Sequence, residues 1–118
     1  MPHCIIEYSS DVEQKCSIRE LVSAVHQSTL ESGLFKAEDI KSRAIPYEHF
    51  QTAQPEQSFV HITARIMKGR TSEQKKSLSQ KVLNAADQII PWVNILSVEI
   101  LDIDTDCYSK RMVQNQPA

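Results

Sequence analysis

The N-terminal residues Met1, Pro2 and His3 offer a chemical group that no internal residue carries. Excision of an initiator methionine is favoured when a small residue follows it, and proline meets that condition. Removal of Met1 leaves Pro2 with a free secondary amine, whose pKa starts somewhat above the value of about 7.7–8.0 typical of an α-amine. Burial or nearby positive charge lowers this pKa because both disfavour the ammonium form. Pro2 is therefore a candidate base that takes a proton from one atom and returns it to another.

The other reactive residue types show no arrangement typical of a known site. The cysteines are odd in number, widely spaced and without a CxxC pair, which predicts reduced thiols in a cytoplasmic protein: Cys4, Cys16 and Cys107. The four histidines have no metal-ligand spacing, so we expect no metal. With two glycines in the chain, no phosphate-binding glycine-rich loop is possible. The sequence also lacks a GxSxG nucleophile motif.

Length and composition narrow the class of protein. A chain of 118 residues predicts one domain, 1–118, with a real hydrophobic core. The net charge of −2 and the absence of a basic cluster argue against a nucleic-acid partner. No apolar run is long enough to span a membrane, and no signal peptide is recognisable. We therefore expect a soluble, cytoplasmic protein.

The first half of the chain predicts a strand, a helix and a second strand. Alternating apolar residues over 3–8 indicate a strand directly behind Pro2. Ser17 and Glu20 form a capping-box pattern at the start of an amphipathic helix over 17–33. A second strand is predicted over 40–47, and Pro46 indicates that it ends there or lies at a sheet edge.

The second half of the chain repeats this order. Residues 59–66 alternate as a strand, and Thr71 with Gln74 forms another capping-box pattern. The following helix is predicted to end at Pro91, and a fourth strand covers 97–104. Residues 105–118 carry little apolar content and are predicted to be a tail.

The chain is therefore predicted to be α+β, a tandem β-α-β repeat with units over about 1–50 and 58–104. Each unit places its two strands in parallel, and two units side by side give a four-stranded mixed sheet with both helices on one face. The first and fourth strands are apolar on both sides, so the open face needs a cover. A further copy of the chain is the simplest cover, and we predict a homotrimer; folding of the tail over this face is the alternative.

The sequence resembles the tautomerase superfamily. The resemblance rests on Met1-Pro2 opening a strand and on the segment from Arg70 to Lys76 that links a strand to a helix. Within the superfamily the tandem length is similar to the 5-carboxymethyl-2-hydroxymuconate isomerases, as are the segments 32–35, 40–43 and 59–63. The resemblance covers almost the whole chain and implies trimers or hexamers of β-α-β units with an N-terminal proline as catalytic base and acid.

The resemblance also implies roles for individual residues. Pro2 matches the catalytic amine, and Arg70 matches an arginine that binds or polarises the substrate. In the second strand the family pattern has two arginines separated by serine; this chain has Lys41 and Arg43, both predicted to bind substrate. Lysine keeps the charge but lacks the bidentate fork that fits a carboxylate, which puts the identity of the diacid substrate in question. Phe59 or Ile62 is predicted to form a pocket wall, and tail residues of a neighbouring subunit another.

The predicted function is therefore an intramolecular isomerase that moves a proton on a small unsaturated hydroxy or keto carboxylate without metal or organic cofactor. A promiscuous phenylpyruvate-type tautomerase or a hydratase is the alternative among enzymes. A catalytically silent trimer that binds a ligand or a partner is the alternative outside enzymes. Retention of Met1 would make the Pro2 nitrogen an amide, which cannot act as a base.

Overall fold

The computed structural model describes residues 1–115 and shows four strands and two helices in the predicted order. These elements are β1 (His3–Ser9), α1 (Ile18–Glu31), β2 (Lys41–Tyr47), β3 (Phe59–Met67), α2 (Ser72–Ile89) and β4 (Ile95–Ile103). Short 3-10 helices cover Ser10–Gln14, Ala37–Asp39 and Thr105–Cys107. The predicted tail is therefore ordered at its start, while its last three residues lie outside the described part of the chain.

The strands form one mixed sheet in the order β2-β1-β3-β4. β1 pairs in parallel with β2, and β3 pairs in parallel with β4, as expected for two β-α-β units. The two units meet through antiparallel pairing of β1 with β3, in which His3 lies opposite Arg65 and Tyr8 opposite Val60. β2 is an edge strand, which explains how Pro46 is accommodated, because one side of an edge strand makes no ladder hydrogen bonds.

Side-chain caps set the start of both helices where the sequence predicts them. Ser17 accepts a hydrogen bond from the backbone N–H of Glu20 at the start of α1. At α2, Thr71 accepts from the backbone of Gln74, and the Gln74 side chain accepts from the backbone of Thr71. These caps satisfy N–H groups that a helix leaves without partners in its first turn. The cap of α2 fixes the chain directly after Arg70.

Both helices pack on one face of the sheet and bury the alternate residues of the central strands. The core is formed by Cys4, Ile6 and Tyr8 of β1, by Val60, Ile62, Ala64 and Ile66 of β3, and by the apolar stripes of α1 and α2. The opposite face carries Ile5, Arg43 and the other residues that alternate with these. On this open face Ile45, Ile95 and Leu101 remain 45%, 41% and 40% exposed. The open face therefore carries exposed apolar side chains, and His3, Glu7 and Arg43 lie on it as well.

The topology brings four segments of the chain to one end of the sheet. The start of β1, the start of β2 and the end of β3 meet there, since the backbone N–H of Lys41 donates to the carbonyl of Pro2 over 3.0 Å and β3 runs antiparallel to β1. The 3-10 helix Ala37–Asp39 leads into β2 beside them, and the segment after β4 returns to the same place.

None of the helices described is long and apolar enough to cross a membrane.

Candidate active site

A cavity of about 470 Å³ lies at this end of the sheet, beside the N-terminus. Met1 forms one part of its wall. The connection from α1 to β2 forms a second part through Leu34, Phe35, Lys36 and Asp39. The end of β3 and the turn after it form a third part through Met67 and Arg70. The segment after β4 forms a fourth part through Tyr108 and Lys110. The cavity thus combines apolar walls with cationic side chains, a typical ligand-binding composition.

Pro2 is fully buried and follows Met1, which lines this cavity. Met1, which is 9% exposed, is bonded to the Pro2 nitrogen as an amide. The position of Pro2 is fixed because its carbonyl extends the β1–β2 ladder to Lys41. Removal of Met1 would therefore place a secondary amine on a rigid strand end, at the wall of the cavity.

The N-terminal amine lies in surroundings that favour its neutral form. Desolvation lowers the pKa of the Met1 amine, and the positive charges of Lys41 and Lys110 lower it further, against the opposing effect of Asp39. Burial and positive charge, the features that the sequence argument requires around a prolyl base, are therefore both present around the Met1 amine.

Arg70 is held against the cavity by two contacts. Its Nη2 donates to the carbonyl of Leu34 over 2.6 Å, and its guanidinium carbon lies 5.4 Å from the centre of the Phe35 ring. Within residues 1–115 that is the single hydrogen bond of this guanidinium, which has five N–H donors. The remaining donors are available to a ligand, and the cap of α2 keeps the chain after Arg70 from shifting.

Lys41 and Arg43 lie beside the cavity without forming part of its wall. Lys41 Nζ donates to the backbone carbonyl of Asp39 over 2.8 Å, and its charge acts on the N-terminal amine. Arg43 Nη1 donates to Nδ1 of His3 over 3.1 Å on the open face of the sheet. The structure thus brings Lys41 and Arg43 close to Pro2, while their contact with a substrate stays a prediction.

The predicted pocket walls from β3 are not found near Pro2 in one chain. Phe59 lies at the opposite end of β1, where its backbone N–H donates to Ser9 Oγ over 3.0 Å, and it packs against Phe50 and Tyr47. Seven residues of strand separate Pro2 from Ser9, roughly 23 Å. Ile62 is fully buried in the core beneath the helices. Within one chain Phe59 lies away from Pro2 because antiparallel pairing turns the start of β3 away from the start of β1, and its contact with a substrate stays a prediction.

The sequence argument missed the contribution of the chain's own C-terminal segment. Tyr108 and Lys110 line the cavity of the same chain, where a neighbouring subunit's tail was expected. Lys110 Nζ lies 3.4 Å from Asp39 Oδ1, and His3 Nε2 lies 3.1 Å from the hydroxyl of Tyr108. A lone aromatic residue with a nearby lysine in an otherwise polar tail was the available signal. These two contacts attach residues 108–110 to the N-terminal end of the sheet.

Asp39 is the acidic residue of the cavity wall, and positive groups surround it. Partial desolvation raises its pKa, but the N-terminal ammonium, Lys110 and Lys41 outweigh this effect and hold the pKa below the usual range. Asp39 is therefore ionised at neutral pH and offsets part of the positive charge of the cavity.

Among residues 1–115 no cluster of three or more histidine, cysteine, aspartate or glutamate side chains is arranged to hold a metal ion.

Comparison with known proteins gives one consistent family. A sequence model described as 5-carboxymethyl-2-hydroxymuconate isomerase matches residues 2–112. The 5-carboxymethyl-2-hydroxymuconate Delta-isomerase of Escherichia coli is 27% identical over 82 residues, which is 68% of this chain and 65% of that relative. The match thus spans slightly less than two thirds of the relative's own length.

Solved structures show the same fold. A crystal structure of a 5-carboxymethyl-2-hydroxymuconate delta-isomerase superposes with a TM-score of 0.84 at 16% identity, covering 100% of this chain and 96% of the other. A fused 4-OT described as a wild-type symmetric trimer superposes with a TM-score of 0.70 at 14% identity, covering 86% of this chain and 85% of the other. At such identities these likenesses support the fold: a four-stranded mixed sheet with two helices, as predicted.

Proposed function

Because this chain belongs to the 5-carboxymethyl-2-hydroxymuconate isomerase family, we propose that it is an isomerase that moves a proton within a small unsaturated hydroxy or keto carboxylate. Pro2 acts as base and then as acid once Met1 has been removed. The observation that carries this proposal is the cavity at the N-terminus, where the start of β1 meets Arg70 and two lysines. A 5-carboxymethyl-2-hydroxymuconate-like acid fits both the family and the charge of this cavity.

The charge of the cavity favours an anionic substrate. Arg70, Lys36 and Lys110 line it against a single carboxylate, Asp39, which Lys110 already pairs. Arg70 can contact a substrate carboxylate or carbonyl oxygen through two parallel N–H bonds, whereas the lysines act as point charges. Lys41, in place of the arginine that the family pattern has, adds a further positive charge near the amine.

The proposed reaction needs one proton and no change in oxidation state. The neutral Pro2 nitrogen takes a proton from the enol hydroxyl or an acidic carbon, and the electron pair left behind is delocalised over the conjugated chain and the carbonyl oxygen. Arg70 stabilises this negative charge. Because the charge is larger in the transition state than in the bound substrate, this interaction lowers the barrier of the reaction. The prolyl ammonium then returns the proton to a different carbon, which yields the isomer and restores the neutral amine.

We also propose that three copies of the chain assemble with their open sheet faces packed together. Ile45, Ile95 and Leu101 expose apolar surface to water on this face of a single chain. Packing of this surface against other copies would be favourable. The fused 4-OT relative with this fold is described as a symmetric trimer. Sedimentation at micromolar concentration should give three times the chain mass of 13.4 kDa. A stable monomer under these conditions would contradict the assembly.

The activity is tested by ultraviolet assay of Met-free protein with a 2-hydroxymuconate-type diacid and with a phenylenolpyruvate-type monoacid. We expect the higher kcat/KM for the diacid, because the cavity offers more than one cation. Preference for the monoacid would favour the phenylpyruvate-type alternative and would agree with Lys41 replacing an arginine. Binding of either acid without turnover would favour a silent ligand-binding protein and would contradict the proposed function.

A further inference from the structure

Three side chains from distant parts of the sequence form a continuous chain of hydrogen bonds that ends at the cavity. Arg43 of β2 contacts Nδ1 of His3 over 3.1 Å, and Nε2 of His3 contacts the hydroxyl of Tyr108 over 3.1 Å. The rings of His3 and Tyr108 also meet edge to face, with their centres 6.1 Å apart. Tyr108 in turn lines the cavity together with Met1 and Arg70.

The donor and acceptor roles in this chain follow from the chemistry of the side chains. A guanidinium can only donate, so Nδ1 of His3 must accept and cannot carry a hydrogen. Neutral His3 then carries its hydrogen on Nε2 and donates it to the oxygen of Tyr108. Because that oxygen accepts from His3, the phenolic hydrogen of Tyr108 remains available for another acceptor.

The charges around His3 maintain this arrangement at neutral pH. Desolvation lowers the pKa of His3, and the positive charges of Arg43, Lys41, the N-terminal amine and Arg65 lower it further. Glu7, the nearest acidic residue on the same face of β1, makes its hydrogen bond with Tyr47 instead. His3 is therefore neutral at pH 7, which preserves an acceptor at Nδ1 and a donor at Nε2.

Tyr108 lies at the end of the sheet where the proposed reaction would take place. His3 follows Pro2 directly in the chain, so the tyrosine that it holds lies at the same strand end as the prolyl nitrogen. Lys110, two residues further on, is attached to Asp39, which holds the segment from the other side. A hydroxyl that is fixed by packing and hydrogen bonds costs little reorganisation when a substrate oxygen becomes negative.

We propose that Tyr108 is a further catalytic residue, whose hydroxyl donates a hydrogen bond to the enolate oxygen that forms when Pro2 removes a proton. His3 and Arg43 are its positioning residues, since they set the direction of the phenolic hydrogen without touching the substrate. The tyrosine keeps its proton throughout, so the proton balance of the isomerisation is unchanged. This inference rests on the proposed function and adds to it a second donor besides Arg70.

The first test removes one oxygen atom, the phenolic oxygen of Tyr108. Tyr108→Phe keeps the ring against His3 and removes the hydroxyl, so in Met-free protein we expect kcat to fall about 10²-fold with KM within about threefold of the wild type. Tyr8→Phe is the matched control, because the Tyr8 hydroxyl contacts Glu13 near the opposite end of β1 from the cavity, and it should turn over like the wild type. If Tyr108 only anchored the tail, Tyr108→Phe would instead raise KM with little change in kcat.

A second measurement tests the hydrogen-bond chain without activity. Nitrogen-15 NMR of the wild type at pH 7 should show His3 protonated on Nε2 and not on Nδ1. Arg43→Met removes a positive charge beside His3, so the pKa of His3 should rise, and Nδ1 should no longer be held as an acceptor. Protonation of His3 on Nδ1 in the wild type would overturn the inference, because Nε2 would then accept the phenolic hydrogen and direct it away from a substrate.

The outcomes separate this inference from the function on which it rests. An active wild type beside an equally active Tyr108→Phe overturns the role of Tyr108 and leaves the isomerase proposal intact. A wild type that binds the acids but turns over neither overturns the isomerase proposal and this inference with it. A selective fall in kcat, together with the Nε2-protonated form of His3, supports both.

Discussion

Protein that retains Met1 is expected to turn over a 2-hydroxymuconate-type acid at least about 10²-fold more slowly than the Met-free protein, since positioned acid-base catalysis contributes roughly 10²–10⁴-fold. The lone pair of an acylated proline nitrogen is delocalised into the amide and cannot take a proton. Met1 also lines the cavity, so its side chain is a second obstacle to a substrate that binds against Pro2. Acylation of the nitrogen and obstruction by the Met1 side chain both lower activity, so the experiment must separate them.

Three forms of the chain make this separation. The Met-free and Met1-retained forms, quantified by intact mass, should show activity in proportion to the Met-free fraction. A third form with one glycine before Pro2 acylates the nitrogen without a methionine side chain, and it should be as inactive as the Met1-retained form. Activity in the glycine form would show that methionine merely blocks the cavity. Equal activity in all three forms would exclude Pro2 as the base.

The pH profile of the Met-free form tests whether the surroundings of the Met1 amine also act on the Pro2 amine. Desolvation and the charges of Lys41 and Lys110 lower the pKa of the Met1 amine, against the opposing effect of Asp39, and we expect the same direction for Pro2. A lowered pKa means that the neutral, basic form exists at a lower pH, so kcat/KM should rise with pH through a value below that of an exposed prolyl amine. Lys110→Met should move this rise to higher pH, because it removes one of the charges that disfavour the ammonium form.

The elements that place Pro2 and Arg70 were predictable because their signals are local. Alternation in β1 and β3 identified the core faces, and the caps at Ser17 and Thr71 fixed both helix starts. Arg70 was singled out because the segment from Arg70 to Lys76, which contains this cap, resembles the tautomerase superfamily. β4 begins at Ile95, two residues before the predicted start.

The parts of the site that depend on long-range pairing were not predictable. Phe59 was placed near Pro2 because both open or flank strongly patterned strands, yet the direction of β3 relative to β1 carries no local signal. Tyr108 was missed for the related reason that a polar segment has no periodicity to indicate where it docks. Its attachment to His3 joins residues 105 positions apart, and such contacts are specified by the fold as a whole.

Replacement of Arg70 should cause the second large loss of activity. Arg70→Ala removes the side chain that is best placed to stabilise charge on the substrate, and loss of one such donor costs about 10²–10³-fold in turnover. Its present contacts, one hydrogen bond to the Leu34 carbonyl and stacking on Phe35, hold the guanidinium at the cavity wall. The fall should appear in kcat and kcat/KM for the diacid, measured with Met-free protein.

Two variants show whether this loss comes from the guanidinium. Arg70→Lys keeps the charge but loses the planar fork, so it should recover only part of the turnover. Arg19→Ala, on the exposed surface of α1, removes a guanidinium outside the cavity and should leave the kinetics unchanged. Thermal unfolding must be compared as well, because the Leu34 carbonyl loses its partner in Arg70→Ala. Wild-type turnover by Arg70→Ala would remove Arg70 from the mechanism, and the stabilisation of the enolate would then fall to Tyr108 and the lysines of the cavity.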